Sequence, residues 1–374
     1  MPLLEVRNLT VGKYAVHDKF RENLLKAIDN IGFSIEEGEI AGIAGESGCG
    51  KSMTALSIIN LLPAEMRIAG GEIIFNNQSL LKMTERELCA IRGRDIGIIF
   101  QDTRQSLNPM MRAGDQITEM LELQKTGIVE QGKRNRENET GKLRQKTKTR
   151  EQRLESIKRK IKNKEQVLEI LKSIGFNHPE KVFDAFPHQL SGGMCQRVVT
   201  AMAAICRPKL LLADEPSSSL DEDSYKRVLS LLLEMNQKYK TSLLIISHDL
   251  SIIKQFCSRY LIMYAGKIIE EGPASSLYSP LHPYTQALLE ALPAKEKRGK
   301  HLENIPGKVP AIEDNFPGCP FAPRCKKAQK ICRESFPPLT FHDKNKNIIS
   351  EIIPEKINGK AHCYFPETGV QTNE

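Results

Sequence analysis

The residues best suited to chemistry form a glycine-rich run early in the chain: Gly45-Glu46-Ser47-Gly48-Cys49-Gly50-Lys51-Ser52. The apolar residues 40–44 before it predict a strand, and the pattern of residues 53–59 after it predicts a helix. Glycines allow backbone conformations that a Cβ would obstruct, so successive N–H groups can surround phosphates at the positive end of the helix. Lys51 can reach the β- and γ-phosphates, and the Ser52 hydroxyl can bind Mg²⁺. The run therefore predicts a nucleoside triphosphate site in preference to a glycine-rich turn with a chance lysine.

Polar side chains also follow three apolar runs that predict buried strands. Asp214 and Glu215 end the run that starts at residue 210, Gln101 follows residues 96–100, and His248 follows residues 242–247. Ligands bind at the carboxyl ends of strands in a parallel sheet. There Asp214 can hold Mg²⁺, Glu215 can position or activate water, and Gln101 can do either. His248 can donate a hydrogen bond to a γ-phosphate, although a loop histidine is the simpler interpretation of that residue alone.

A second glycine-containing turn, Ser191-Gly192-Gly193, opens a predicted helix over residues 194–206. A helix start with small residues is an anion site in its own right. One triphosphate does not need two such loops from one chain. We therefore expect this turn to serve the nucleotide of another chain.

Strands and helices alternate along most of the chain, which predicts an α/β fold with a largely parallel sheet covered on both faces. Further strands are predicted at residues 3–10, 31–35, 70–78 and 260–264, and helices at 116–124, 224–239 and 249–257. The length of 374 residues suits two domains. Beyond about Pro273 proline is frequent and the periodicity fades, which predicts a smaller appended domain with little regular structure.

Composition and hydropathy limit the classes of protein to which the chain can belong. No apolar run approaches the ~20 residues that span a bilayer, and no signal peptide is evident, so we expect a cytoplasmic chain. The net charge of +8 is concentrated between Lys125 and Glu165, where fifteen Lys and Arg face six Asp and Glu. Within this insertion residues 127–141 predict a loop and residues 142–170 an amphipathic helix. We interpret the charged segment as a solvated surface insertion in preference to an arm that binds RNA or lipid headgroups.

Together these motifs make residues 1–270 similar to the ATPase subunit of ABC transporters. The resemblance implies a RecA-like parallel sheet, an antiparallel β part and a helical subdomain at about residues 102–205. It also implies a head-to-tail dimer in which each ATP lies between one subunit's phosphate loop and the other's Ser191–Gly193 turn.

The resemblance assigns further roles residue by residue. Gly192, Gly193 and Gln196 belong to the signature that faces the partner's ATP, with Ser191. The segment Ser219-Leu220-Asp221 would contact the other ATPase domain, and Gln101 would sense the membrane subunits. An aromatic side chain before the phosphate loop should stack on adenine; Tyr14 is the first candidate and Phe20 the second.

The tail is similar to the C-terminal extension of oligopeptide and dipeptide importer ATPases. The matching stretches are residues 281–285, 305–310 and 318–325, together with residues 106–109. The predicted domains are therefore an ABC ATPase domain at 1–272 and this extension at 273–374.

The expected function is an ATP-hydrolysing subunit that energises peptide import. The implied partners are a second, related but distinct ATPase subunit, two transmembrane permeases and an extracytoplasmic solute-binding protein, with no nucleic acid. The implied location is the cytoplasmic face of the plasma membrane. Alternatives are a nickel or metallophore importer, whose ATPases share the architecture, and an ABC-type ATPase acting on ribosomes or nucleic acid.

Four late cysteines, Cys319, Cys325, Cys332 and Cys363, suggest a structural site in a segment with few apolar residues. Their spacing fits neither a paired zinc motif nor a ferredoxin run. Some members of the resembled subfamily carry an iron–sulfur cluster here. A [4Fe–4S] cluster is the first expectation, with Zn²⁺ or no metal as alternatives.

Overall fold

A computed structural model describes residues 1–14, 24–103, 105–126, 150–216, 221–292, 304–312, 314, 316–343, 345, 347–348 and 358–366. The chain divides into two compact units. The first comprises residues 1–81 and 244–374, and the second comprises residues 82–243. Within the described ranges, every helix is too short or too polar to cross a bilayer.

Strands and helices alternate over much of the chain. The strands are β1 (Leu4–Tyr14), β2 (Leu24–Ile35), β3 (Ile40–Ala44), β4 (Arg67–Phe75), β5 (Gln78–Ser79), β6 (Ile96–Ile99), β7 (Leu210–Asp214), β8 (Ser242–Ser247), β9 (Arg259–Tyr264), β10 (Lys267–Pro273), β11 (Leu339–His342) and β12 (Gly359–His362). The helices are α1 (Lys51–Ile58), α2 (Glu85–Ile91), α3 (Ala113–Thr126), α4 (Arg150–Ser173), α5 (Pro179–Asp184), α6 (Gly192–Ile205), α7 (Glu222–Tyr239), α8 (Leu250–Phe256), α9 (Pro283–Ala291) and α10 (Lys330–Glu334). Short 3₁₀ turns lie at Leu80–Lys82, Pro187–Gln189 and Ala274–Ser276.

The first unit contains an antiparallel sheet of order β2-β1-β4-β5. A second sheet places the strands of this unit in the order β11-β12-β10-β9-β3-β8. Strand β3 runs parallel to β9, whereas β9, β10, β12 and β11 pair antiparallel. Strand β3, which leads into the phosphate loop, is therefore held in the interior of this sheet, and four of its five residues are buried.

The second unit is built around β7, whose five residues are all buried. Strand β6 pairs with it in parallel, so Ile96 lies beside Leu210 and Ile99 beside Ala213. Helix α6 packs against β6 and also contacts α3 and α4. The approach is close: a Cβ on Gly97 would lie 3.1 Å from the Ala203 carbonyl oxygen of α6.

The α/β architecture with parallel and antiparallel parts is confirmed. Strand β8 has the predicted bounds, and α6 begins two residues before the predicted helix. The C-terminal region has more regular structure than predicted, because β11 and β12 extend the sheet beyond β10. In the charged insertion, α4 confirms the helical part from Arg150 onward; the predicted loop at 127–141 and the helix start at 142–149 lie outside the described residues.

Candidate functional site

The glycine-rich run forms the turn between β3 and α1, as predicted. Gly50 has φ +107° and Gly48 has φ +81°, conformations that side-chain-bearing residues rarely adopt. A Cβ on Gly45 would lie 2.2 Å from the Met263 carbonyl oxygen, so this position has no room for a larger residue. Ser47 and Gly48 are exposed at the rim of the loop. These glycines therefore let the loop adopt a backbone that larger residues could not follow.

Lys51 lies inside this loop. Its side chain is 5 % exposed, and Nζ donates to the carbonyl oxygens of Gly45 at 2.8 Å and Glu46 at 2.9 Å. Burial raises the pKa of the neighbouring Cys49 thiol, which is therefore neutral. Ser52 follows in the first turn of α1.

Residues from two of the predicted strand ends lie together in the second unit. Asp214 is the last residue of β7 and is 5 % exposed. Glu215 follows it, and the Gln101 amide Nε2 lies 3.4 Å from Glu215 Oε2. The buried amide of Gln196 donates to the Glu215 carbonyl oxygen at 3.4 Å. Glu215 is therefore contacted by an amide from the end of β6, at its carboxylate, and by one from α6, at its carbonyl oxygen.

Glu215 also has an uncommon backbone conformation, with φ +48°. A residue of this type in the left-handed region costs about 1 kcal/mol or more, and such strain clusters at functional sites. The conformation turns the chain directly after a fully buried strand.

The Ser191–Gly193 turn forms the start of α6. Ser191 is the N-cap, and its Oγ accepts a hydrogen bond from the Met194 N–H at 3.3 Å. Arg197, one turn on, stacks over the Phe176 ring at 4.1 Å and donates to the Gly175 carbonyl oxygen. Desolvation lowers the pKa of Arg197. Helix α6 is thus fixed to the end of α4 while its first turn holds the two glycines.

The remaining predicted residues are placed as follows. His248 is exposed directly after β8, and Tyr14 is 36 % exposed at the end of β1. Asp221 is the N-cap of α7, and its Oδ1 accepts from the Ser224 N–H at 2.9 Å. Ser219, Leu220 and Phe20 lie outside the described residues.

The four late cysteines line one small apolar cavity, together with Phe321 and His282. Burial raises the pKa of Cys319 to about 11 and that of Cys363 to about 12. In the part of the chain that the structure describes, no three His, Cys, Asp or Glu side chains are arranged to hold a metal ion. The structure therefore gathers the four thiols around one cavity.

Two residues without a predicted role contact the phosphate loop. Tyr284 accepts a hydrogen bond from the Glu46 N–H, and Arg324 forms a bidentate ion pair with the Glu46 carboxylate. Both stand in the tail stretches singled out in the sequence. The available signal was an arginine between two cysteines in a segment with few acidic residues.

The chain combines a strand, phosphate loop and helix with a buried strand that ends in two carboxylates. It also has a helix that starts with a serine and two glycines. This combination is typical of an ABC-type ATPase. The family model described as ABC transporter matches residues 28–218. The model described as oligopeptide/dipeptide transporter, C-terminal region, matches residues 269–332. The chain belongs to the ABC transporter family.

Curated relatives match nearly the whole chain. The probable peptide ABC transporter ATP-binding protein y4tR of Sinorhizobium fredii is 37% identical over 90% of this chain and 91% of its own length. The dipeptide transport ATP-binding protein DppD of Haemophilus influenzae is 38% identical over 91% of this chain and 92% of its own. Among solved structures, the dimeric MJ0796 cassette, described as a bacterial ABC transporter cassette, matches with a TM-score of 0.57 and 25% identity over 72% of this chain and 98% of its own.

Proposed function

We propose that this chain is the ATP-hydrolysing subunit that energises import of peptides through a membrane ABC transporter. The observation that carries the proposal is that one chain contains both the phosphate loop and a tail that matches the oligopeptide/dipeptide transporter C-terminal region. The relatives named as dipeptide or oligopeptide transport proteins share about 37% of their residues with it over most of their length.

The catalytic roles follow from the chemistry of phosphoryl transfer, which needs placement and charge neutralisation. The loop backbone cradles the phosphates, and Lys51 neutralises their charge. Bound Mg²⁺ would be held by Ser52, Gln101 and Asp214 and would supply further neutralisation. Glu215 orients or activates the attacking water.

Other residues would act at the edges of the reaction. His248 would contact the γ-phosphate, and Tyr14 would stack on the adenine. The Ser191–Gly193 turn, with Gln196, would face the ATP of the partner subunit, while Asp221 would lie at the contact between ATPase domains. The dimeric state of the matched MJ0796 cassette supports this arrangement.

The implied assembly contains a second, related ATPase subunit, two transmembrane permeases and an extracytoplasmic solute-binding protein. The chain would sit peripherally at the cytoplasmic face of the plasma membrane. The charge excess confined to residues 125–165 gives no support to nucleic-acid binding by the ATPase core.

We also propose that Cys319, Cys325, Cys332 and Cys363 bind a [4Fe–4S] cluster, with Zn²⁺ as the alternative. Four thiols around one cavity are the donor set that both take. Iron and labile sulfide are expected in about a 1:1 ratio on anaerobically purified protein, since a [4Fe–4S] cluster holds equal numbers of each. Zinc without sulfide would favour the alternative, and absence of all three would contradict both.

Transport by the assembled complex tests the function. ATP-driven accumulation of a labelled dipeptide in vesicles is expected with the wild-type chain and not with Lys51→Ala. Accumulation of nickel without any peptide would favour the metallophore class. Co-purification of RNA or DNA in place of membrane proteins would overturn the transport proposal.

A further inference from the structure

Glu46, the second residue of the phosphate loop, is held by two residues of the C-terminal region. Arg324 Nη1 donates to Glu46 Oε2 at 2.7 Å, and Nη2 donates to Oε1 at 3.0 Å. The Glu46 backbone N–H donates to the Tyr284 hydroxyl at 2.8 Å. Side chain and backbone of one loop residue are thus both fixed by residues 238 and 278 positions away in the sequence.

Arg324 is itself firmly placed. Its residue is 9 % exposed, and its guanidinium also donates to the carbonyl oxygens of Pro306 and Ile305 and to the Tyr264 hydroxyl. Hydrogen bonding to Glu46 raises the pKa of Arg324, so it stays a cation. A bidentate arginine–carboxylate pair with this little solvent is stronger and more directional than a surface ion pair.

Tyr284 is fully buried within an aromatic cluster. Its ring lies 4.6 Å from that of Tyr264 and 5.2 Å from that of Phe321, measured between centroids. Phe321 in turn lines the cavity of the four cysteines. A continuous set of packed side chains therefore joins that cavity to the loop.

The same turns place Arg324 and the cysteines. Arg324 precedes Cys325, its N–H donates to the Phe321 carbonyl oxygen at 2.9 Å, and the Cys319 N–H donates to the Cys332 carbonyl oxygen at 2.7 Å. On the loop side, the Glu46 carbonyl oxygen accepts from Lys51 Nζ. A displacement of Glu46 would therefore move a group that positions the phosphate-binding lysine.

We infer that Arg324 and Tyr284 are positioning residues of the nucleotide site: through Glu46 they hold the phosphate loop in its binding shape and connect it to the cysteine-bearing segment. The inference rests on the proposed function, because it requires the loop to bind ATP. It gives the C-terminal region a role in nucleotide affinity that neither family match assigns.

The test measures the Kd of a fluorescent ATP analogue on the full chain and the KM and kcat of the assembled complex. Arg324→Gln is expected to raise Kd and KM about tenfold with little change in kcat, because it removes a charge-assisted bidentate pair. Tyr284→Phe is expected to raise Kd less, since one neutral hydrogen bond is lost. Lys330→Gln, at an 88 % exposed side chain on α10, is the matched control and should not change Kd.

A double-substitution cycle separates this role from general destabilisation. If Arg324 acts through Glu46, then Arg324→Gln adds little to Kd in a Glu46→Gln background. An unchanged Kd for Arg324→Gln, or an effect that persists undiminished in that background, would overturn the inference. If the wild-type chain fails to bind the analogue while it remains folded, the proposed function fails as well, so the two failures are distinguishable.

Discussion

At the scale of single residues, Glu215 combines three features that rarely coincide by chance. It follows a fully buried strand, it has a strained backbone, and its carboxylate lies beside the Gln101 amide. Its backbone carbonyl is also held by Gln196. A residue kept in an unfavourable conformation by its surroundings is pre-organised for its task.

Glu215→Gln is expected to keep ATP binding and lose turnover by at least about 100-fold, because the amide keeps the shape but cannot accept a proton from water. The measurement is phosphate release by the assembled complex, with analogue binding on the same preparation. Glu234→Gln, on the exposed face of α7, is the control. Hydrolysis at the wild-type rate by Glu215→Gln would refute the assignment.

Gly50 permits a prediction about the loop. At φ +107° a Cβ there would lie 2.9 Å from the Ala27 carbonyl oxygen and 2.8 Å from Met263 Cε. Gly50→Ala is therefore expected to distort the loop and to weaken ATP binding about tenfold or more. Gly70→Ala is a matched control, because a Cβ at Gly70 meets no atom within 4 Å. Equal affinities for both variants would show that the loop tolerates the change.

At the scale of elements, one buried carboxylate organises the start of α9. Glu270 of β10 is 1 % exposed and accepts hydrogen bonds from the Leu281 and His282 N–H groups and from the hydroxyls of Tyr260 and Thr285. Burial raises the pKa of Glu270, and its donors oppose that rise. The tail helix that carries Tyr284 is thereby tied to the sheet.

Glu270→Gln is expected to lower the free energy of unfolding by about 2 kcal/mol, because the amide replaces one acceptor with a donor that faces other donors. Urea unfolding followed by circular dichroism measures it. Glu65→Gln, at an exposed loop position, should leave the midpoint unchanged. A loss no larger than that of the control would mean that the four donors find other partners.

Elements differed in how far the sequence could predict them. Strands β7 and β8 are continuous apolar runs, which is typical of strands buried on both faces, and their bounds were predicted closely. Strand β12 has no such pattern; it forms because Glu270 and Glu271 of β10 offer backbone partners to Lys360 and Ala361. The residues of β12 alone therefore do not predict that pairing. Helix α2 was missed although Thr84 and Glu87 form a capping box, a signal that was available.

The same distinction applies to the candidate site. The phosphate loop, Glu215 and the Ser191 turn are local motifs, so their residue types and spacing identify them. The contacts of Tyr284 and Arg324 with Glu46 join residues 238 and 278 positions apart. Contacts of that separation depend on the folded tail and cannot be derived from spacing.

At the scale of the whole molecule, we propose that one chain carries two anion sites, the phosphate loop and the Ser191–Gly193 turn. Relatives named for peptide transport and a solved dimeric cassette both match it. If two chains share each nucleotide, as proposed, damage to the turn should weaken binding of the partner's nucleotide. Binding by this chain's own loop should then be unaffected.

Gly193→Asp tests that separation of roles. A negative charge in the first turn of α6 favours the helix itself by about 0.5 kcal/mol, so unfolding would not explain a loss of activity. The same charge would repel a phosphate that approaches the turn. We expect unchanged analogue binding by the isolated full chain and at least a tenfold (about 1.4 kcal/mol) loss of turnover in the assembled complex. Gly193→Ala, which adds a methyl group without charge, is the control, and weakened binding by the isolated Gly193→Asp chain would place the turn at this chain's own nucleotide.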